Sequence, residues 1–157
     1  MRVIGKVRKT IPGVALRTSI IAGFPGETDK EFQELLAFVK EARFERLGAF
    51  TYSAEEGTPA YQFKNQVPQK IKSERLGLIM SLQQEISRSV NGKFLGKTLE
   101  VLVDEEDNGS YLARTQFDAP EVDGSVYLKS AKKLSAGDFV KAKIIDTLEY
   151  DLVGEVE

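Results

Sequence analysis

The first third of the chain changes from one hydrophobic pattern to another at a short turn. VALRTSIIAG (residues 14–23) is rich in β-branched and aliphatic side chains, which predicts a β-strand. After the turn, apolar side chains recur at helical spacing and predict one buried helix face. These residues are Phe32, Leu35, Leu36, Val39 and Ala42. ERLGAFTYS (residues 45–53) predicts a second strand, so the order strand, helix, strand indicates a βαβ unit with parallel strands.

Local signals place the start of the helix in this unit. Pro25 and Gly26 are typical of positions i+1 and i+2 of a type II β-turn. Thr28 and Glu31 have the spacing of a capping box, in which each side chain accepts a hydrogen bond from the backbone N–H of the other residue. We therefore predict that the helix begins just after Thr28.

The two faces of the first strand differ in character, because side chains alternate along a strand. One face, predicted to pack against helices, carries Val14, Leu16, Thr18 and Ile20. The other face carries Arg17, Ser19, Ile21 and Gly23. An arginine, a hydroxyl and bare backbone on one face suit the wall of a polar cavity. An arginine that reaches solvent at a strand end explains the same pattern equally well.

The hydrophobic pattern changes again near Asn91. Residues 67–92 predict a helix, and its apolar stripe consists of Leu78, Ile79, Leu82, Ile86 and Val90. Beyond this helix come five short strand-like runs, the first two separated by Asn108-Gly109, a pair typical of a type I′ hairpin turn. Five such strands predict a small antiparallel OB-like barrel. The predicted fold class is therefore α/β plus all-β.

Composition limits the chemistry that the chain offers. Of its 157 residues 41% are hydrophobic, which is enough for a real core. Cysteine and histidine are absent, so we expect no thiolate or imidazole chemistry and no metal site. The sequence has neither an apolar run of about 18 residues nor a signal-peptide pattern, from which we expect a cytoplasmic protein with no membrane partner. Residues 1–91 hold 14 Lys and Arg against 10 Asp and Glu, whereas residues 92–157 hold 8 against 14.

Three familiar ligand-binding motifs do not fit. The spacing from Gly23 to Gly26 matches neither a phosphate-binding P-loop nor a dinucleotide-binding fingerprint. DEEDNGS (residues 104–110) begins like a calcium loop, but Thr115 stands at the twelfth position, where a bidentate Glu is required.

Two separated blocks of the sequence resemble the radical S-adenosylmethionine methylthiotransferases. Residues 16–60 resemble the later strands of their (β/α) barrel, and DAPEVDGSVYL (residues 118–128) with EYDLVGEV (residues 149–156) resembles their small TRAM domain. The resemblance implies three parts: residues 1–66 as the C-terminal part of a TIM-like radical-SAM barrel, residues 67–92 as a linker helix, and residues 93–157 as the TRAM domain.

The same resemblance implies a partial site for S-adenosylmethionine. The segment that approaches the adenine of the cofactor corresponds here to Ile21, Gly23, Phe24, Pro25 and Gly26. Arg17 and Ser19 would then face the ribose or methionine part, and Tyr52 would offer backbone groups to the adenine. The role of Glu27 stays open at this point, because a carboxylate near the first turn of a helix is favoured by the helix dipole alone.

One departure from the family pattern matters more than these matches. The enzymes of the family hold 4Fe-4S clusters on a Cys-x-x-x-Cys-x-x-Cys segment and on cysteines of an N-terminal domain. This chain has no cysteine. We therefore expect it to be the C-terminal part of a longer enzyme, with no catalytic residue of its own, no bound cluster and no activity without the remainder of the barrel.

YSAEEGTPA (residues 52–60) and DAPEVDG (residues 118–124) are most similar to the branch that methylthiolates an aspartate of a small-subunit ribosomal protein. An acidic loop in the TRAM part would steer this basic protein through Asp118, Glu121 and Asp123, although a solvated loop without a partner explains these residues equally well. The branch that modifies an adenosine in transfer RNA is the alternative within the family. A free-standing RNA-binding module without enzymatic activity is the alternative of another class, although the excess of acidic residues opposes it.

Overall fold

The structure is a computed structural model that describes residues 1–157. The helices are α1 (Arg2–Thr10), α2 (Asp29–Ala42) and α3 (Gln69–Asn91), with short 3-10 turns at Pro59–Gln62 and Gly92–Phe94. The strands are β1 (Arg17–Ala22), β2 (Arg46–Thr51), β3 (Thr98–Asp107), β4 (Ser110–Thr115), β5 (Val126–Lys129), β6 (Phe139–Thr147) and β7 (Leu152–Val156). None of the helices combines the length and the apolar character of a membrane span.

The chain divides into two compact units, Met1–Ile86 and Ser87–Glu157, and the division falls inside α3. The predicted boundaries at residues 66/67 and 92/93 stay predictions, because they describe parts of an enzyme family rather than compact units of this chain.

The first unit contains the predicted βαβ arrangement. Strands β1 and β2 pair in parallel, and α2 connects them. The capping box is present: Thr28 Oγ1 accepts a hydrogen bond from Glu31 N–H, and the Glu31 carboxylate accepts one from Thr28 N–H. The sheet has two strands, so the partial (β/α) barrel expected for residues 1–66 is not formed within this chain. Two parallel strands cannot close a ring.

The helix-facing side of β1 was predicted correctly. Ile20 and Ala22 pack in a small core with Phe32 of α2 and Ile79 of α3. Arg17, Ser19 and Ile21 on the other side of the strand are exposed. The predicted α2 stripe is confirmed as well, since its five residues are buried or partly buried.

The predicted stripe on α3 was only partly right. Ile79 is fully buried, but Leu78 is 53% exposed. The buried side of α3 within the first unit continues instead through three polar residues, Lys72, Arg75 and Gln83. Their spacing from Ile79 is that of one helix face. Of the other predicted residues, Leu82 is partly buried, and Ile86 and Val90 are buried, so the error of the hydrophobic pattern is confined to Leu78.

The second unit contains a closed barrel of five strands in the order β3-β4-β5-β7-β6. Five strands were predicted, but the prediction of an antiparallel barrel was wrong, because β5 and β7 pair in parallel while the other four neighbours are antiparallel. The reason is geometric. A closed ring with an odd number of strands cannot alternate in direction all the way round, so at least one pair must be parallel.

The barrel has a core of its own, formed by inward-facing side chains of all five strands and of the β5–β6 loop. The core residues are Val101, Val103, Tyr111, Ala113, Val126, Leu128, Leu134, Ala142, Ile144 and Leu152. The predicted hairpin turn between β3 and β4 is confirmed: Asn108 and Gly109 both have positive φ, as a type I′ turn requires.

Candidate functional site

The exposed face of the two-stranded sheet carries the side chains that the sequence singled out on β1. In the parallel register Ser19 lies beside Gly48, and Ile21 lies beside Phe50. Ile21 is 56% exposed and Phe50 is 59% exposed. Two large apolar side chains therefore stand next to each other in solvent at the carboxyl end of the strands, the edge where ligands bind in parallel α/β sheets.

The turn that follows β1 has the predicted geometry. Glu27 N–H donates to the carbonyl oxygen of Phe24 at 2.9 Å, which closes a four-residue turn with Pro25 in its second position. Gly26 has φ +89°, as the third position of a type II turn requires. Gly26 N–H also donates to the carbonyl of Asn65 at 2.9 Å. The turn is thus held by one hydrogen bond within it and by a second hydrogen bond to Asn65.

Gly23 is required by a neighbouring side chain. Its φ is +75°, and a Cβ at this position would lie 2.5 Å from Cγ of Lys72. The space beside Gly23 is therefore occupied by the aliphatic stem of Lys72. The resemblance implied that Gly23 approaches an adenine, and within this chain the absence of a side chain at Gly23 makes room for a lysine of α3.

Lys72 also holds the end of β2. Its Nζ donates to the carbonyl oxygen of Tyr52 at 2.9 Å in a buried hydrogen bond and lies 5.0 Å from the centroid of the Tyr52 ring. Tyr52 N–H donates to the carbonyl of Ala22 at 2.9 Å. Both backbone groups of Tyr52, which were predicted to face an adenine, therefore already have partners within the chain, and a ligand would have to share the carbonyl's second lone pair.

Aromatic rings surround this strand end. The Phe24 ring lies edge-on to Tyr52, with 5.2 Å between centroids, and edge-on to Phe63 at 6.0 Å. Phe24 and Phe63 are each more than two-fifths exposed. The hydroxyl of Tyr52 is buried without a hydrogen-bond partner. The exposed parts of Phe24 and Phe63 offer aromatic surface to a flat ligand.

A buried ion pair secures the other side of the turn. The Glu27 carboxylate accepts from Arg75 Nη1 at 2.5 Å and from Gly23 N–H at 3.0 Å. Arg75 Nη2 donates to Asp29, which is almost fully exposed. Burial alone would lower the pKa of Arg75, but its hydrogen bonds to Asp29 and Glu27 outweigh burial and raise the pKa. Glu27 therefore has a structural role in this unit.

Lys72 and Arg75 are the residues that sequence reasoning missed. Both lie on α3, and they are three positions apart on the helix face that continues to Ile79. A signal was available: extending that face backwards by helical spacing leads to two basic residues where a core helix would have apolar ones.

The edge offers apolar surface to a ligand but no ligand atoms for an iron-sulfur cluster. Phe24 and Ile21 expose surface against which a purine can pack. A cluster needs thiolates, and the chain has no cysteine. The structure brings together no group of three or more acidic, histidine or cysteine side chains that could hold a metal ion.

The acidic loop between β4 and β5 is organised differently from what its composition indicated. The Asp118 carboxylate accepts from the Thr115 hydroxyl at 2.5 Å, and the Asp123 carboxylate accepts from Ala119 N–H at 2.7 Å. Glu121 is exposed and has φ +61°. Of the three carboxylates, two stabilise the loop itself, and Glu121 projects into solvent.

A close backbone contact joins this loop to the turn between β6 and β7. A Cβ on Gly124 would lie 1.9 Å from the carbonyl oxygen of Tyr150. Ser125 N–H donates to the Asp151 carboxylate at 2.8 Å. Residues 118–128 and 149–156, the two segments of the barrel that carried the resemblance, are therefore in contact. Gly124 must be a glycine because the Tyr150 carbonyl occupies the space of a side chain.

The family comparisons agree with this architecture. The model of the TRAM domain matches residues 95–156, which contain the whole barrel. Proteins described as ribosomal protein uS12 methylthiotransferase RimO are similar to nearly the entire chain. The one from Desulforamulus reducens is 52% identical over 98% of the chain, that from Thermoanaerobacter sp. strain X514 is 53% identical over 98%, and that from Parabacteroides distasonis is 47% identical over 96%.

The chain spans 35% of the length of each of these three relatives. The similarity is continuous across both compact units, because the aligned part includes the βαβ segment as well as the barrel. Over nearly its whole length this chain is therefore similar to the RimO methylthiotransferases, and its five-stranded barrel is a TRAM domain.

Proposed function

We propose that this chain forms the C-terminal part of an enzyme that adds a methylthio group to an aspartate of ribosomal protein uS12. The observation that carries the proposal is the identity of 47–53% to uS12 methylthiotransferases across both units. Since the chain spans about a third of those relatives, the activity belongs to the complete enzyme. The partner of this chain is then the remainder of the radical-SAM barrel, and the substrate is a basic protein of the small ribosomal subunit in the cytoplasm.

In the complete enzyme the first unit supplies part of the wall of the S-adenosylmethionine site. Bound S-adenosylmethionine and a reduced 4Fe-4S cluster supply the radical chemistry, with cysteines outside this chain as cluster ligands. Phe24 and Ile21 pack against the adenine, while Arg17 and Ser19 face the polar part of the cofactor. Gly23, Pro25 and Gly26 shape the turn beside it. The chain alone is inactive, because it has no cluster ligand.

The TRAM domain binds the protein substrate. Residues 92–157 hold 8 Lys and Arg against 14 Asp and Glu, a balance that attracts a basic protein and repels a phosphate backbone. Within the acidic loop, exposed Glu121 makes the electrostatic contribution, while Asp118 and Asp123 keep the loop in shape. This division of roles revises the expectation that all three carboxylates contact the substrate.

The test is an anaerobic assay of the complete enzyme that carries this segment, with uS12 and with transfer RNA as competing substrates. We expect a mass increase of one methylthio group on an aspartate of uS12 and none on the RNA. The same assay with the 157-residue chain alone should give no product. Modification of an adenosine in the transfer RNA would overturn the proposal in favour of the RNA branch, and tight RNA binding without product from either substrate would favour the binding module.

A further inference from the structure

Lys72 is buried where a hydrophobic side chain would be expected. It is 7% exposed on the inner face of α3, and lysine is rarely buried to this degree unless its ammonium has partners. Its Nζ donates to a backbone carbonyl and lies beside the face of the Tyr52 ring. Removing an ammonium from water is costly, so the fold retains this lysine at an energetic cost.

The contacts of Lys72 join two strand ends. Its stem fills the space beside Gly23, directly after β1, and its ammonium holds the carbonyl of Tyr52, directly after β2. These two backbone positions form the carboxyl edge of the sheet. A single side chain from α3, which lies outside the strand-turn segment, therefore fixes the separation between them.

We propose that Lys72 is a positioning residue for the cofactor edge. It holds the turn at Gly23 and the carbonyl of Tyr52 in the arrangement that the adenine of S-adenosylmethionine requires, and this role rests on the proposed function. The ammonium is essential to the role, because a methionine would fill the same space beside Gly23 but could not hold the carbonyl. The helix that the sequence assigned as a plain linker thereby contributes to the site.

The test compares S-adenosylmethionine binding by Lys72→Met and wild type in the complete enzyme, measured by calorimetry. We expect Kd to rise about tenfold, as for the loss of one hydrogen bond from a charged donor. The turnover rate at saturating cofactor should change less than about twofold, since the reacting groups are untouched. Lys30→Met, at an exposed lysine of α2, should leave Kd unchanged.

A second control separates positioning from stability. Val39→Ala removes buried side-chain volume from α2 and destabilises the same unit. If Lys72 acts only through stability, Val39→Ala should raise Kd as much as Lys72→Met does. We expect Val39→Ala to lower the unfolding midpoint and to leave Kd unchanged. An unaltered Kd in folded Lys72→Met, or equal effects of the two variants, would overturn the role of Lys72.

If the proposed function itself is wrong, the binding measurements differ from those expected if only the role of Lys72 is wrong. In that case the wild-type enzyme does not bind S-adenosylmethionine, or Ile21→Ala and Phe24→Ala leave its affinity unchanged.

If Lys72→Met does not fold, Lys72→Gln replaces it, because the shorter amide keeps a neutral donor near the carbonyl. We then expect Kd to rise about threefold, and an unchanged Kd for folded Lys72→Gln would be decisive against the proposal.

Discussion

The strands of the two units differ in how many neighbouring strands they pair with. In the barrel every strand has a neighbour on each side, and ten buried residues form one continuous core. In the βαβ unit each of the two strands has a single neighbour, and one face of the sheet exposes Ile21 and Phe50. The barrel is thus closed, whereas the sheet has open edges and an exposed apolar face.

Charged groups also serve the two units differently. In the barrel the aspartates of the β4–β5 loop accept hydrogen bonds from the loop itself. In the βαβ unit Lys72 and Arg75 reach from α3 to the strand ends and to the turn after β1. Polar groups therefore shape short loops in the closed unit and brace an exposed edge in the open one. This edge is where we propose that the cofactor binds.

The largest expected difference between the units comes from truncating one apolar side chain in each. Leu128→Ala removes a fully buried side chain from the barrel core and should lower the free energy of unfolding of the barrel by about 2–5 kcal/mol. Ile21→Ala removes a side chain that is already 56% exposed and should cost the βαβ unit less than about 1 kcal/mol. Native-state hydrogen exchange of β5 and β1 amides measures both.

Equal losses for the two variants would contradict the comparison, because they would place Ile21 in a packed core. If Leu128→Ala also accelerated exchange in β1 by the same factor, the two units would unfold as one, and the contrast between a closed and an open unit would not extend to their stability.

Much of this fold could be predicted from local patterns. The capping box at Thr28, the turn at Pro25-Gly26 and the hairpin turn at Asn108-Gly109 each depend on side chains within a few positions of one another. In each case these side chains determine the local backbone geometry. Local signals were sufficient for these features, and the order of strand, helix and strand along the chain was sufficient for the βαβ unit.

The errors concern contacts between residues far apart in the chain. The parallel pairing of β5 with β7 follows from closing five strands into a ring, which no single strand reveals. The requirement for glycine at position 23 depends on Lys72, 49 positions further along the chain. Because Lys72 and Arg75 are polar, a search for an apolar stripe passed over them and selected exposed Leu78 instead.

A smaller effect is expected from neutralising the ion pair in the open unit. Glu27→Gln keeps an acceptor for Gly23 N–H but removes the charge that faces buried Arg75. We expect the free energy of unfolding of the βαβ unit to fall by about 1–3 kcal/mol, less than for a wholly unpaired buried charge, because Asp29 remains beside the guanidinium. Urea denaturation provides the measurement.

Asp29→Asn is the matched control for this change. Asp29 contacts the same guanidinium from an almost fully exposed position, where solvent screens the attraction, so its loss should be much smaller. If Asp29→Asn destabilised the unit as much as Glu27→Gln, the exposed partner would be the important one, and the edge would not depend on a buried brace.

The smallest expected effect is a pH dependence confined to the start of α2. The backbone hydrogen bond from Thr28 N–H, together with that from the Thr28 hydroxyl, stabilises the charged carboxylate and lowers the pKa of Glu31. The charged Glu31 carboxylate therefore contributes fully to stability above the ordinary pKa of a glutamate. This contribution is lost as the pH falls through the lower pKa that Glu31 has in the folded state. An NMR titration should show Glu31 losing its charge at a lower pH than an ordinary glutamate does, while the Thr28 amide signal shifts along the same curve. In Glu31→Gln that shift of the Thr28 amide should disappear, and barrel amides should not follow the curve in either protein. A Glu31 pKa at or above the ordinary value of a glutamate would mean that the capping box does not persist in solution, and the open unit would then lack one of the local contacts that define where its helix begins.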